Sequence, residues 1–222
     1  MNPTQVALAD LARQQPSSTR VFLRHGLDFC CGGRRTLAEA CAKAGLDTEQ
    51  IVHELEAAAA SSGADVTHWD RRPPAELCAF IVSRYHEALR RDVPPLITAA
   101  RKVERVHADK PAVPLGLADE LDELWSEMQQ HMMKEERVLF PMIRQGARGQ
   151  QVFMPIRVME QEHDTHAEHL ARLRQLTHDF EIPAHACATW SALYRGLATL
   201  EAELQEHIHL ENNILFPRAS YE

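Results

Sequence analysis

HMMKEERVLFP, residues 131–141, returns 76 positions later as HIHLENNILFP, residues 207–217. The shared pattern is H-x3-E-x2-[VI]-L-F-P, and each copy sits in a longer run of apolar periodicity. Leu117, Leu121, Leu124, Met128, His131, Glu135, Val138 and Met142 alternate steps of four and three residues. So do Trp190, Leu193, Leu197, Leu200, Leu204, His207, Glu211 and Ile214. That spacing predicts amphipathic helices with one stripe turned to a core.

Two further stripes accompany them. One runs Val82, His86, Leu89, Val93, Leu96, Ala100, Val103, and the other Val152, Ile156, Met159, His163, His166, Leu170, Leu173. His86 precedes His131 by 45 residues and His163 precedes His207 by 44, so two helical hairpins read as copies of one unit. Breakers between 111 and 116, between 145 and 149, and around Ile182-Pro183 separate the four segments. Short connections make successive helices antiparallel, so residues 74–222 are expected to fold as an up-down-up-down four-helix bundle. Pro94-Pro95 predicts a kink in its first helix.

Residues 1–62 read as a separate small helical domain, with helices near 4–13, 17–24, 36–44 and 47–60. Its CCGG segment, residues 30–33, is a loop by its glycines. SSGAD at 61–65 and RRPP at 71–74 mark a linker that ends at a helix start.

The chain has 222 residues with 24 Lys and Arg against 32 Asp and Glu, a net charge of −8. That balance, without a basic run, excludes a nucleic-acid footprint or an anionic membrane partner. No apolar run is long enough to span a bilayer, and the N-terminus lacks a secretory pattern, so the expected location is the cytoplasm. Nine glycines and no alternating β-branched runs point to an all-α class. Five cysteines without framework spacing are expected to be reduced.

The stripes carry unexpected chemistry. Burying an ionised carboxylate is costly unless it is paired or bound to metal. A lone core histidine is ordinary, but His86, His131, Glu135, His163, His207 and Glu211 occupy matching positions in two repeated hairpins. His and Glu at i and i+4 share a helix face. Four histidines and two carboxylates projecting from four helices make a dinuclear metal constellation. Mixed imidazole and carboxylate donors suit iron, manganese or zinc. Six ligands spread over two ions leave open positions of the kind O₂ or NO needs, which favours iron, about two ions per chain.

Cys30 and Cys31 form a second candidate site. Adjacent cysteines bridge only with strain, so a stable disulfide is not expected. Gly32 and Gly33 expose backbone amides that could lower a thiol pKa, which suits a redox or iron-handling pair. Glu127, one turn before His131, and Glu162, beside His163, are candidates for carboxylates that support the ligands or relay protons. The remaining charged residues of these helices read as a solvated face. His107 and His209 read as structural, and Cys41, Cys78 and Cys187 as packing residues.

The arrangement resembles the hemerythrin-like fold, of which H-x3-E is the ligand signature. It is more similar still to the di-iron iron–sulfur cluster repair proteins (RIC, or YtfE/ScdA, family). The resemblance rests on DFCCGG (28–33), RYH (84–86), KVERVHADKP (102–111), HMMKEE (131–136), VMEQEHD (158–164) and LENNILFPR (210–218), and runs nearly end to end. It implies a non-haem di-iron centre on the same six residues, cytoplasmic homodimers, and repair of clusters damaged by nitrosative and oxidative stress. Damaged iron–sulfur proteins or a scaffold would be partners, and NO or O₂ small ligands. A di-iron nitric oxide reductase, and a sensor or carrier of O₂ or NO, are the alternatives that need the same centre. The run HDTHAEH, residues 163–169, departs from the family pattern and places His166 beside a ligand.

Overall fold

A computed structural model describes residues 2–61 and 67–221. Residues 62–66 of the expected linker lie outside the described residues. The helices are α1 (Leu8–Gln14), α2 (Ser18–Arg24), α3 (Leu37–Ala44), α4 (Thr48–Ser61), α5 (Pro74–Ile81), α6 (Glu87–Val106), α7 (Leu117–Lys134), α8 (Phe140–Arg144), α9 (Gln150–Thr177), α10 (Ala188–Leu210) and α11 (Phe216–Tyr221). Among the described residues there is one isolated bridge, Ala7 to Thr36, and no strand. The all-α expectation holds. No described helix is long and apolar enough to cross a membrane.

The chain divides into two compact units, residues 1–77 with 205–222, and residues 78–204. In the first, Leu8, Ala12, Val21, Phe22, Phe29, Leu37, Cys41, Ile51 and Leu55 share one core. Helix α3 starts at a capping box: Thr36 accepts from the Glu39 amide, and the Glu39 carboxylate accepts from the Thr36 amide. It stops at Gly45, whose φ of 68° only glycine adopts without penalty.

The second unit is built from α6, α7, α9 and α10 as far as Leu204. His86 meets Glu136 while Arg101 meets Asp122, so the segments carrying α6 and α7 run antiparallel. His131 meets Glu162 while Glu120 meets His169, so α7 and α9 are antiparallel too. Arg84 bonds Glu203 while His107 packs on Trp190, which opposes α10 to α6. The four therefore run up, down, up, down. Close approach of α10 to α6 uses Gly196, where a Cβ would stand 2.6 Å from Leu96 Cδ2.

Helix α6 runs through Pro94 and Pro95 as one helix, with Thr98 Oγ1 donating to the Pro94 carbonyl at 3.1 Å. The regular stripe register needs correction. Among the described residues, three π-turns interrupt it, at Val82–His86, Glu135–Leu139 and Glu211–Leu215. In each, an amide bonds the carbonyl five residues back: Glu87 to Val82, Phe140 to Glu135, Phe216 to Glu211. The extra residue rotates everything that follows. Val138, expected on the core stripe, is 49% exposed and Met142 half-buried, while Leu139 and Ile143 take the core positions.

Candidate metal centre

Each π-turn carries a stripe residue of the predicted set. His86 ends the first, Glu135 begins the second and Glu211 begins the third. Such turns occur in single insertions and often at functional sites, because the bulge re-aims side chains that regular winding would stack. His163 comes from the regular part of α9.

In the second unit, His86, His131, Glu135 and His163 are all buried, Glu135 completely. Glu135 Oε2 lies 3.3 Å from His86 Nε2 and 3.4 Å from His131 Nε2, and His131 Nε2 lies 3.2 Å from His163 Nε2. Charge-assisted hydrogen bonds are shorter, about 2.7–2.9 Å. Atoms bound to one ion at roughly 2.0–2.2 Å stand about 3–3.5 Å apart, which is the spacing observed. Glu135 groups with His86 on one side and with His131 and His163 on the other, the ligand atoms of each group lying within 4.8 Å. The donor set of imidazoles and a buried carboxylate fits a hard or borderline cation.

In the first unit, His207 and Glu211 are likewise buried, with His207 Nε2 3.0 Å from Glu211 Oε1. The two H-x3-E pairs thus share burial, helix position and an adjoining π-turn.

Outer carboxylates hold the far ring nitrogens. His86 Nδ1 lies 2.6 Å from Glu136 Oε1, which also accepts from Arg90 at 2.7 Å. Burial alone would raise the Glu136 carboxyl, but the bonds from His86 and Arg90 prevail and hold it below its ordinary value. His131 Nδ1 lies 3.0 Å from Glu162 Oε2, and Lys134 bonds the same carboxylate. Burial likewise opposes the bonds from His131 and Lys134, and the net shift of Glu162 is downward. The sequence singled out Glu162 but left Glu136 on the solvated face. The available signal was its place beside Glu135, since a carboxylate next to a ligand can reach a neighbouring helix.

Glu127 instead faces His169, with Oε2 3.1 Å from its Nε2, while Glu120 Oε1 lies 2.5 Å from Nδ1. His166 is buried, its ring edge-on to His131 at 5.0 Å between centroids.

Cys30 is buried and Cys31 half-buried, both as thiols. The expectation that backbone amides would lower a thiol pKa here is overturned for Cys30. Those amides serve Asp28: Cys30 N and Cys31 N donate to Oδ1 at 3.2 and 3.0 Å, and Gly32 N to Oδ2 at 2.8 Å. The Cys31 hydrogen bond and burial, with Asp28 adding its charge, push the Cys30 thiol well above its ordinary value. The loop is tied down by Asn213, whose Nδ2 donates to the Phe29 and Cys30 carbonyls at 3.3 and 3.2 Å. His209 packs edge-on against Phe29 and is pushed down to about 4 by burial, so it stays neutral as a structural residue. Cys41 and Cys78 are core residues, but Cys187 is exposed, just before α10, with His107 Nε2 3.2 Å from its Sγ. Packing does not explain it.

A buried cation-binding helical protein is the class this architecture defines, and comparison agrees: residues 80–219 match the hemerythrin HHE cation binding domain. Residues 4–59 match a family described as a domain of unknown function, DUF542. The chain is 46% identical over 213 residues to the iron-sulfur cluster repair protein YtfE of Pectobacterium carotovorum subsp. carotovorum (strain PC1), covering 96% of each chain. It is 47% identical, with the same coverage, to the protein of that name from Yersinia pseudotuberculosis serotype O:1b (strain IP 31758). The chain belongs to this hemerythrin-domain family of iron–sulfur cluster repair proteins.

Proposed function

We propose that the protein repairs iron–sulfur clusters damaged by nitrosative and oxidative stress, acting in the cytoplasm as a homodimer. His86, His131, Glu135, His163, His207 and Glu211 are the residues that would hold two non-haem iron ions per chain. The observation that carries this reading is the repeated pair, His131–Glu135 and His207–Glu211, buried in each case beside a π-turn. Membership of a family whose relatives are named for cluster repair supports the activity.

Iron held there would supply the redox and Lewis-acid chemistry for small ligands such as NO or O₂. The chain's own residues do the rest. Burial excludes water from Glu135 and Glu211, and Glu136 and Glu162 fix the ring orientation of His86 and His131. Glu127 reaches the buried His169 from a half-exposed position, which suits a carboxylate on a proton path. Cys30 and Cys31, in the 1–62 domain, are the iron-handling thiols, and damaged iron–sulfur proteins or their scaffold are the partners.

Elemental analysis of protein made in iron-replete cells should give about two irons per chain, and Glu135→Ala or Glu211→Ala should lose them. Reduced protein exposed to NO without oxygen should gain visible iron–nitrosyl absorption, altered in His207→Ala and unchanged in His178→Ala. The protein should restore activity to an NO-damaged cluster enzyme. Recovery with zinc only, an unresponsive spectrum, or no restoration would overturn the reading.

A further inference from the structure

The thiol loop has the geometry of a metal site in its own right. Cys30 Sγ lies 3.7 Å from Cys31 Sγ and 3.4 Å from Asp28 Oδ1, and the three ligand atoms fall within 4.8 Å of one another. Two sulfurs held at about 2.3 Å by one tetrahedral ion stand roughly 3.7–3.8 Å apart, and a sulfur and an oxygen roughly 3.5 Å apart. A disulfide needs its sulfurs at about 2.05 Å, so this spacing is that of co-ligands and not of a bridge.

The cradle is fixed before any ion enters. Three backbone amides orient the Asp28 carboxylate, the outer support that sharpens a ligand's direction. A Cβ on Gly32 would stand 2.6 Å from Asp28 Oδ2, and one on Gly33 would stand 2.4 Å from the Phe29 carbonyl. Gly33 is therefore required by the loop backbone, and a side chain at Gly32 would have to displace the Asp28 carboxylate from its place in the cradle. Asn213 anchors its backbone from the π-turn after α10.

We propose that Asp28, Cys30 and Cys31 form a mononuclear site for a thiophilic divalent cation, holding ferrous iron in transit. The identity of the ion rests on the repair reading; the site itself does not. Binding displaces the two thiol protons, so a divalent ion with two thiolates and one carboxylate carries net charge −1. Three protein ligands leave a fourth position, which water fills until a thiolate of a recipient protein takes it.

The test titrates the full-length protein, its bundle already loaded with metal, with Co²⁺ under anaerobic reducing conditions. Thiolate-to-cobalt charge-transfer absorption should grow to one equivalent and stop. Cys30→Ser and Cys31→Ser should abolish it. Asp28→Asn, which keeps an acceptor for the loop amides, should weaken binding by more than the roughly 10–100-fold that an outer support costs. Cys41→Ser and Cys187→Ser should leave the band intact, as should Glu211→Ala, so failure of the di-iron reading is read separately. Circular dichroism confirms that each variant keeps its helical content. No charge-transfer band in the parent protein, or a band that survives loss of Cys30 and Cys31, overturns the site.

Discussion

Glu136 Oε1 lies 2.6 Å from His86 Nδ1, on the opposite side of the ring from the nitrogen that faces Glu135. One residue step along the second π-turn thus separates the carboxylate that faces Nε2 of His86 from the one that holds its Nδ1. Glu162 does the same for His131. Both outer carboxylates are about a quarter exposed and are held below their ordinary range, so they remain ionised at neutral pH.

Glu136→Gln and Glu162→Gln should each weaken iron retention by roughly 10–100-fold against a chelator, without the outright loss expected for Glu135→Ala. The sign with pH follows from the lowered carboxyls. Their contribution is fully present above the ordinary carboxylate range and fades as pH falls through the depressed values. Chelator competition across a pH series checks this. Equal iron loss from Glu135→Ala and Glu136→Gln would show that Glu136 is itself a ligand.

The four stripes made the bundle legible, because burial of an amphipathic helix imposes its period on the residues directly. The H-x3-E pairs were legible for the same reason: polar residues in apolar positions stand out. The π-turns were not. A turn that bonds five residues back instead of four leaves no compositional mark, and the stripe written through it put Val138 and Met142 where Leu139 and Ile143 belong. Glu136 was missed because its role depends on His86, fifty residues earlier. Cys187 was misread because exposure is set by where α10 begins.

The register shift predicts a contrast between neighbours. Leu139→Ala should cost about 2–5 kcal/mol, the range for emptying a packed aliphatic site. Val138→Ala should stay within about 0.5 kcal/mol, as for an exposed position. Denaturant melts of the two variants decide it. A larger cost at Val138 would mean regular α-helical winding through Glu135–Leu139.

Cys187 should be the most reactive thiol. The backbone amide of Trp190 at the start of α10, with that of Thr189, lowers its pKa against the opposing effect of burial, whereas Cys30 and Cys41 are raised. Iodoacetamide at mildly alkaline pH should modify Cys187 before the others, at a rate that levels off below the ordinary thiol range of about 8.5. Peptide mapping against time measures this. His107→Ala should slow the reaction if the imidazole at 3.2 Å helps hold the thiolate.

Gly33 and Gly196 are glycine for different reasons. At Gly33 the intruding Cβ would meet the Phe29 carbonyl at 2.4 Å and Ala9 Cβ at 2.8 Å, both fixed by the surrounding backbone. At Gly196 it would meet only Leu96 Cδ2 at 2.6 Å, the end of a half-buried side chain that can turn away. Gly196 also lies within α10, where alanine gains about 1 kcal/mol of helix propensity over glycine. Gly33→Ala should therefore destabilise the protein by about 1–3 kcal/mol, the range for overpacking. Gly196→Ala should be near neutral, with the small clash and the propensity gain offsetting each other. Thermal melts followed by alkylation of Cys30 separate the two, since only the Gly33 variant should expose that buried thiol. Protection of Cys30 in a Gly33→Ala protein of parental stability would show that the loop tolerates a side chain there.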